Sequence, residues 1–171
     1  MTSFLGGLLH PLAVPAHALA LLALGLLIGQ QRARFAPFAA FVAGLGAGLA
    51  ALAFAVGATS AADVLLAGAA LAGLLVALAR PLPTLVSALV AVIAGLALAL
   101  DSPPEVTSLA AATVMLIGTG LGACLALAIV VVGASYVTRD WQRIGIRIVG
   151  SWIAASAILV LALRFARGQL F

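Results

Sequence analysis

Both histidines of the chain, His10 and His17, stand in one apolar stretch beside two prolines, Pro11 and Pro15. An ionisable side chain inside a membrane-spanning segment is by default a functional hypothesis, although a histidine bonded to a neighbouring carbonyl group would be a purely structural alternative. Nearly two helical turns separate the two residues, so on a straight helix they share a face about 10 Å apart along the axis, too far apart for one ion. A proline changes that judgement because it can kink the helix and free a backbone carbonyl.

Three residues in later stretches could complete a metal site with this histidine pair. Asp63 begins the third apolar stretch, and with His10 and His17 it would offer imidazole and carboxylate ligands for nickel. Met115 and Cys124 lie in the fifth stretch and would suit a softer ion such as Cu(I). Asp63 could instead cap a helix, and methionine and cysteine are ordinary packing residues.

Two acidic residues, Asp101 and Glu105, close the fourth apolar stretch together with Pro103 and Pro104. We expect them on the same side of the membrane as the start of the third stretch. There they would attract cations to the mouth of a path, or they would simply be solvated loop charges.

The composition identifies a membrane protein. Of 171 residues, 66% are hydrophobic and 7% are charged, whereas soluble domains carry about 25% charged residues; the mean hydropathy is +1.36. This excludes a soluble enzyme and a nucleic-acid binder, and makes the lipid bilayer the first partner. The sequence contains no Walker A or zincin motif, so we expect no enzyme and no tightly bound cofactor.

Residues 1–171 are predicted to form a single transmembrane domain, an all-α polytopic bundle of about six helices. The apolar runs are continuous, and a helix satisfies its own backbone polar groups in hydrocarbon. The predicted helices are residues 4–29, 35–57, 61–79, 84–100, 106–134 and 148–163.

Loop charges predict the orientation. The odd-numbered loops carry arginines and the even-numbered loops carry acids, and arginine-rich loops are typical of the cytoplasmic side. The N-terminus is therefore expected outside, although Arg164 and Arg167 would then also lie outside. The arginines of the odd-numbered loops are Arg32, Arg34, Arg80, Arg139, Arg143 and Arg147.

Glycines recur at short spacing in the second and fifth stretches, as residues 44, 46 and 48 and as residues 118, 120 and 122. Such faces let helices approach closely and could also join copies into a homo-oligomer. The shared pattern raises the hypothesis that helices one to three repeat as four to six, which would make the repeat inverted because each half has an odd number of spans.

The stretch from His10-Pro11 to His17, followed by Leu19, Ala20 and Gly25, resembles the first-helix signature of the HupE/UreJ family of hydrogenase and urease accessory membrane proteins. The family pattern is roughly His-Pro-x-x-Gly-x-Asp-His-x-Leu-Ala. This chain departs from that pattern at two positions, where Val14 replaces the glycine and Ala16 replaces the aspartate. No histidine follows His17, so a later histidine-bearing helix of the family has no equivalent.

The resemblance implies a permease of a bacterial-type inner membrane that passes a divalent transition metal, nickel before copper or cobalt, with the histidine pair on the path. Two alternatives remain open from the residues alone. One is a neutral-solute channel for urea or ammonia, and the other is a non-transporting subunit that assembles with another membrane protein.

Overall fold

The computed structural model describes residues 2–53, 60–104 and 108–168, which form seven helices and no strand. The fold class is therefore confirmed as that of an all-α polytopic membrane protein. Helices α3, α4, α6 and α7 are each long and apolar enough to cross a membrane, α1 and α2 together form a bent fifth candidate, and α5 is a shorter apolar helix. The helices are α1 (Thr2–Ala13), α2 (Pro15–Gln30), α3 (Phe35–Ala53), α4 (Ala61–Leu78), α5 (Thr84–Leu100), α6 (Leu109–Ser135) and α7 (Asp140–Gly168).

The first apolar stretch, predicted as one helix over residues 4–29, is broken into α1 and α2 with a bend of 73°. The break lies at Val14, whose backbone is extended at φ −89° and ψ 115°. A residue before proline avoids the helical region because the proline ring crowds its backbone. Pro15 then starts α2 at a first-turn position, where its missing N–H costs nothing.

Helix α7 is longer than the predicted span over residues 148–163 because it begins at Asp140. The side chain of Gln142 accepts a hydrogen bond of 3.1 Å from the backbone N–H of Arg139, which is half of a capping box. The basic first turns therefore continue the helix instead of forming a separate loop. Parts of the predicted second and fifth helices, residues 54–57 and 106–107, lie outside the described residues.

Helix α2 is the central element of the bundle. It packs against α1, α4, α5, α6 and α7, and its side chains from Ala23 to Ile28 are all buried. Large apolar side chains of the outer helices, such as Leu85, Ile129 and Leu159, are exposed. In a bilayer these outer faces contact lipid, whereas α2 contacts only protein over most of its length.

The loops that carry arginines meet at one end of the bundle. The backbone N–H of Leu82 donates to the side chain of Gln31 at 3.0 Å, and Arg147 donates to the carbonyl oxygen of Ala77 at 2.8 Å. At the opposite end, Arg164 on α7 contacts Asp63 at the start of α4 at 2.7 Å. We call these the arginine end and the acidic end; the predicted separation of odd and even loops is thus present in the fold.

The helix pairs show an internal symmetry. Helix α3 packs on α5 and α1 packs on α6, while α4 packs antiparallel on α7. Exchanging α1, α3 and α4 with α5, α6 and α7 leaves these three pairs unchanged, although the packing of α4 on α5 has no matching packing of α7 on α1 among the described residues. Because α3 starts at the arginine end and α6 finishes there, the two halves have opposite orientations, as an inverted repeat requires. Helix α2 has no counterpart in the second half.

The glycine contacts support the same symmetry. A methyl group on Gly95 of α5 would collide with the carbonyl oxygen of Phe41 on α3, and one on Gly7 of α1 would collide with that of Met115 on α6. Phe41 and Met115 each stand three residues before the first glycine of their triplets. The outer glycines of each triplet thus serve packing between helices of one chain, and association of copies through glycine faces stays a prediction.

Candidate metal centre

The side chain of His17 contacts the side chain of Asp101 at the acidic end of the bundle. The Nε2 atom of His17 lies 2.9 Å from Oδ2 of Asp101. The histidine, in the first turn of α2, is fully buried, whereas the Asp101 side chain at the end of α5 is 26% exposed. Because an ionised carboxylate can only accept, Nε2 carries the proton and donates it in this bond. The lone pair of His17 is then on Nδ1.

The break between α1 and α2 brings the second histidine beside the first. The ring centres of His10 and His17 are 5.4 Å apart, with an angle of 69° between the ring planes. The Nε2 atom of His10 and the Nδ1 atom of His17 are both buried and have no hydrogen-bond partner among the described residues. Buried polar atoms are nearly always paired in proteins, so these two nitrogens in adjacent rings are candidate ligand atoms.

The separation of 5.4 Å between the ring centres of His10 and His17 is compatible with both rings binding one ion. Metal–nitrogen bonds of about 2.0–2.1 Å place the centres of two imidazoles that share an ion no more than about 6.5 Å apart. A carboxylate that accepts a hydrogen bond from the far nitrogen of a ligating histidine is the usual support for such a ligand, since it fixes the tautomer and raises basicity. Asp101 stands in that relation to His17.

The break also leaves one backbone carbonyl group without its helical donor. Across the break, Val14 N–H still donates to the oxygen of His10 at 3.1 Å. Pro15 has no N–H, so the carbonyl oxygen of Pro11 lacks the donor that a continuous helix would supply. Two imidazoles with carbonyl or water oxygens form a ligand set that suits nickel, cobalt, copper or zinc.

The lengths of the helices set the depth of this site. Helix α5 has 17 residues and rises about 25 Å from the arginine end, which is less than the hydrocarbon thickness of about 30 Å. Helix α6 has 27 residues and rises about 40 Å. Asp101 therefore lies below the level that α6 reaches at the acidic end, inside the outer part of the bundle.

Two of the other predicted ligands, Asp63 and Cys124, form no group with the histidine pair among the described residues. Asp63 is held by Arg164, and Cys124 packs at the edge of the apolar core. Met115 is half-buried on α6, where its carbonyl oxygen accepts from Thr119 at 3.1 Å. Within residues 2–53, 60–104 and 108–168, no three His, Cys, Asp or Glu side chains are grouped closely enough to hold a metal ion.

The structure describes only one of the two acids that we expect at the mouth of a cation path. Asp101 contacts His17 directly instead of being a free loop charge, and Glu105 lies outside the described residues. The sequence does carry a signal for the role of Asp101, because the apolar run that ends at this residue is too short to span a bilayer unless the bilayer thins around it. Residues 17 and 101 are nevertheless too far apart in sequence for their contact to be read from a pattern.

Comparison with known proteins supports the resemblance noted in the first helix. The family model described as HupE / UreJ protein matches residues 1–160, so the resemblance is confirmed over most of the chain. No curated protein and no solved structure matches the chain. Proteins of the matched family are accessory or transporter proteins rather than enzymes.

Proposed function

Because the chain belongs to the HupE/UreJ family, we propose that it is a permease that carries a divalent transition metal ion, nickel first, across a bacterial inner membrane. The ion enters at the acidic end, binds between His10 and His17, and leaves towards the arginine end. Cobalt and copper are the competing cargoes, because imidazole accepts both.

The pair of orphan imidazole nitrogens carries this proposal. His17 Nδ1 and His10 Nε2 are buried, lack a hydrogen-bond partner within the described ranges and belong to rings 5.4 Å apart. Two buried nitrogens without a donor or a cation would be costly to keep, since each loses its hydrogen bonds to water on folding. A cation between the rings satisfies both nitrogens at once.

The architecture supports transport over storage. Transporters built from inverted repeats bind their substrates near the middle of the membrane, at a discontinuous helix. Here the discontinuous element is the α1–α2 pair, and the first helix of the other half, α5, ends at the same site with Asp101. Two nitrogen ligands bind an ion weakly enough to release it. Transport requires such release, whereas storage requires tight binding.

The charge distribution supports inward transport. The arginine end is the cytoplasmic side by the usual bias of loop charges, which places the N-terminus and the acidic end outside. Asp101 and Asp63 then face the side from which cations arrive. The membrane potential would drive the ion inwards with about 2.3 kcal/mol per charge for each 100 mV.

The test is nickel uptake into vesicles that contain the purified protein. We expect His10→Ala and His17→Ala each to reduce the initial rate at least about tenfold, since each removes one of two nitrogen ligands. Thr113→Val is the matched control, because Thr113 is an exposed residue of α6 whose hydroxyl donates to the carbonyl oxygen of Leu109 in the same helix. Thermal unfolding in detergent checks that each variant is folded.

The same vesicles separate the alternatives. Uptake of urea or ammonia that ignores nickel and the histidine variants would identify a neutral-solute channel. No flux of any of these solutes, with a folded protein, would favour the assembly subunit. Nickel uptake that is unchanged in either histidine variant would contradict the proposed path.

A further inference from the structure

A cavity of about 440 Å³ opens at the arginine end, far from the histidine pair. It lies between the end of α2, the end of α6, the end of α4 and the first turns of α7. Its polar lining comes from Gln30, Arg34, Ser135, Thr138 and Arg143. The rest of the lining is small or apolar, so these five side chains supply the charge and the side-chain hydrogen-bonding groups of the cavity.

The cavity carries two positive charges that no ion pair neutralises among the described residues. Arg34 and Arg143 both line it, whereas no acid in the described part of the chain does, including Asp140, one turn before Arg143. Neither arginine has an ion-pair partner in the described part of the chain, where the acids that form ion pairs are bound to His17 and Arg164. Two guanidinium groups facing one cavity repel each other and attract an anion.

The walls of the cavity are held by contacts below and beside it. Gly29 lets α2 approach α6 so closely that a methyl group there would meet Ala134 and, at 2.9 Å, the carbonyl oxygen of Val131. Arg34 is anchored through its Nε, which donates to the carbonyl oxygen of Gln31 at 3.1 Å. The wall between α2 and α6 is therefore fixed, and the Arg34 guanidinium can present its remaining N–H groups to a ligand, while Arg143 and Thr138 are exposed at the rim of the cavity.

The position of the cavity corresponds to the headgroup layer of a bilayer. Tyr136 and Trp141, which flank its lining residues in sequence, are 76% and 66% exposed. Exposed tyrosine and tryptophan at a helix end mark the membrane interface. Basic cavities between helices at this level suit the phosphate groups of anionic lipids.

We propose that this cavity binds a phosphate group, held by Arg34 and Arg143 and by the hydroxyl group of Thr138. Arginine matches phosphate because its planar N–H groups bind two phosphate oxygens at once. The group can belong to an anionic phospholipid of the inner leaflet or to free phosphate. This site is separate from the histidine pair, because it lies at the opposite end of α2.

The test is a titration of the detergent-purified protein with short-chain phosphatidylglycerol and, in a separate arm, with inorganic phosphate. The shift of the thermal unfolding midpoint gives an apparent affinity in each arm. The double variant Arg34→Gln/Arg143→Gln should bind about thirtyfold more weakly, which corresponds to about 1 kcal/mol for each arginine. The matched control is Arg80→Gln/Arg139→Gln, which removes the same charge from exposed positions at the same end.

Each result decides the proposal. Binding of phosphatidylglycerol alone, lost in the double variant and kept in the control, identifies a lipid site. The same dependence with inorganic phosphate identifies a free-phosphate site. Equal losses in the double variant and the control, or no binding in either arm, would overturn the proposal. If the double variant does not fold, Arg143→Ala alone answers the question, because Arg143 is exposed in the first turns of α7.

Discussion

At the scale of single residues, the structure differs from the sequence-based expectation in which acid lies beside the histidines. Asp63 was the expected partner because it starts a helix at a similar depth, yet the antiparallel packing of α4 and α7 brings Arg164 to it at 2.7 Å. Asp101 instead contacts His17 at 2.9 Å. Whether Asp63 or Asp101 contacts a histidine depends on which helix ends lie next to each other in the bundle. No local sequence pattern predicts that arrangement.

This difference yields a paired prediction. Asp101→Asn should reduce nickel affinity and uptake about 10- to 100-fold, because a ligating histidine loses the carboxylate that orients it. Asp63→Asn should leave uptake within about twofold, since it breaks only a partly exposed ion pair. Nickel binding by calorimetry and uptake into vesicles measure both variants, and the reverse order of effects would restore Asp63 as the metal partner.

The residue before His17 permits a rescue experiment. The resemblance implies an aspartate at this position, and Ala16 stands there instead, so the carboxylate beside the second histidine comes from α5 in this chain. We expect Ala16→Asp to restore nickel uptake in the Asp101→Asn background to at least about a third of the original rate, because it returns a carboxylate to the site. Uptake in the double variant no higher than in Asp101→Asn would show that the two positions are not equivalent.

At the scale of helices, the sequence predicts the elements better than their geometry. Continuous apolar runs predict six stretches, and the prolines beside His10 and His17 indicate a kink. They do not give its direction, and the 73° bend is what reduces a separation of about 10 Å along a straight helix to 5.4 Å between ring centres. Packing of α1 on α6 and of α2 in the centre sets that direction, so it follows from contacts distant in sequence.

The packing of α1 on α6 predicts a position-specific cost for one methyl group. Gly122→Ala should destabilise the protein by about 1–3 kcal/mol, because the new methyl group collides with the backbone of Leu8 and must push the helices apart. Gly46→Ala is the matched control, a glycine of α3 with nothing within 4 Å of its added methyl group. Unfolding midpoints in detergent compare the two, and equal midpoints would contradict this account of the contact.

At the scale of the whole molecule, composition alone predicts a helical membrane protein, and the first-helix motif predicts the family. The glycine triplets also hint at the inverted repeat, which the helix pairs support. What the sequence does not reveal is that α2 has no counterpart in the second half. A repeat is recognised in sequence from a pattern that both halves share, here the glycine triplets. Helix α2 does not carry that pattern, so the sequence does not show that it is extra.

The separation of the two ends predicts the result of a labelling experiment. In a Cys124→Ala background, a cysteine placed by Ala33→Cys should react with a membrane-impermeant maleimide only after the cells are opened. One placed by Ser60→Cys should react in intact cells, because the orientation proposed from the loop charges puts the arginine end in the cytoplasm. Both positions are exposed, at opposite ends of the bundle. Labelling of Ala33→Cys but not Ser60→Cys in intact cells would reverse the proposed orientation.

The short helix α5 has a consequence for the surrounding lipid. Its outward side chains, including Leu89 and Ile93, are exposed, yet its length falls about 5 Å short of an average hydrocarbon layer. Acyl chains beside it must compress or disorder to avoid exposing apolar surface to water, at a cost of a fraction of a kcal/mol per Å. The protein would thus thin the leaflet locally next to Asp101. Its activity after reconstitution should then depend on the acyl-chain length of the lipid.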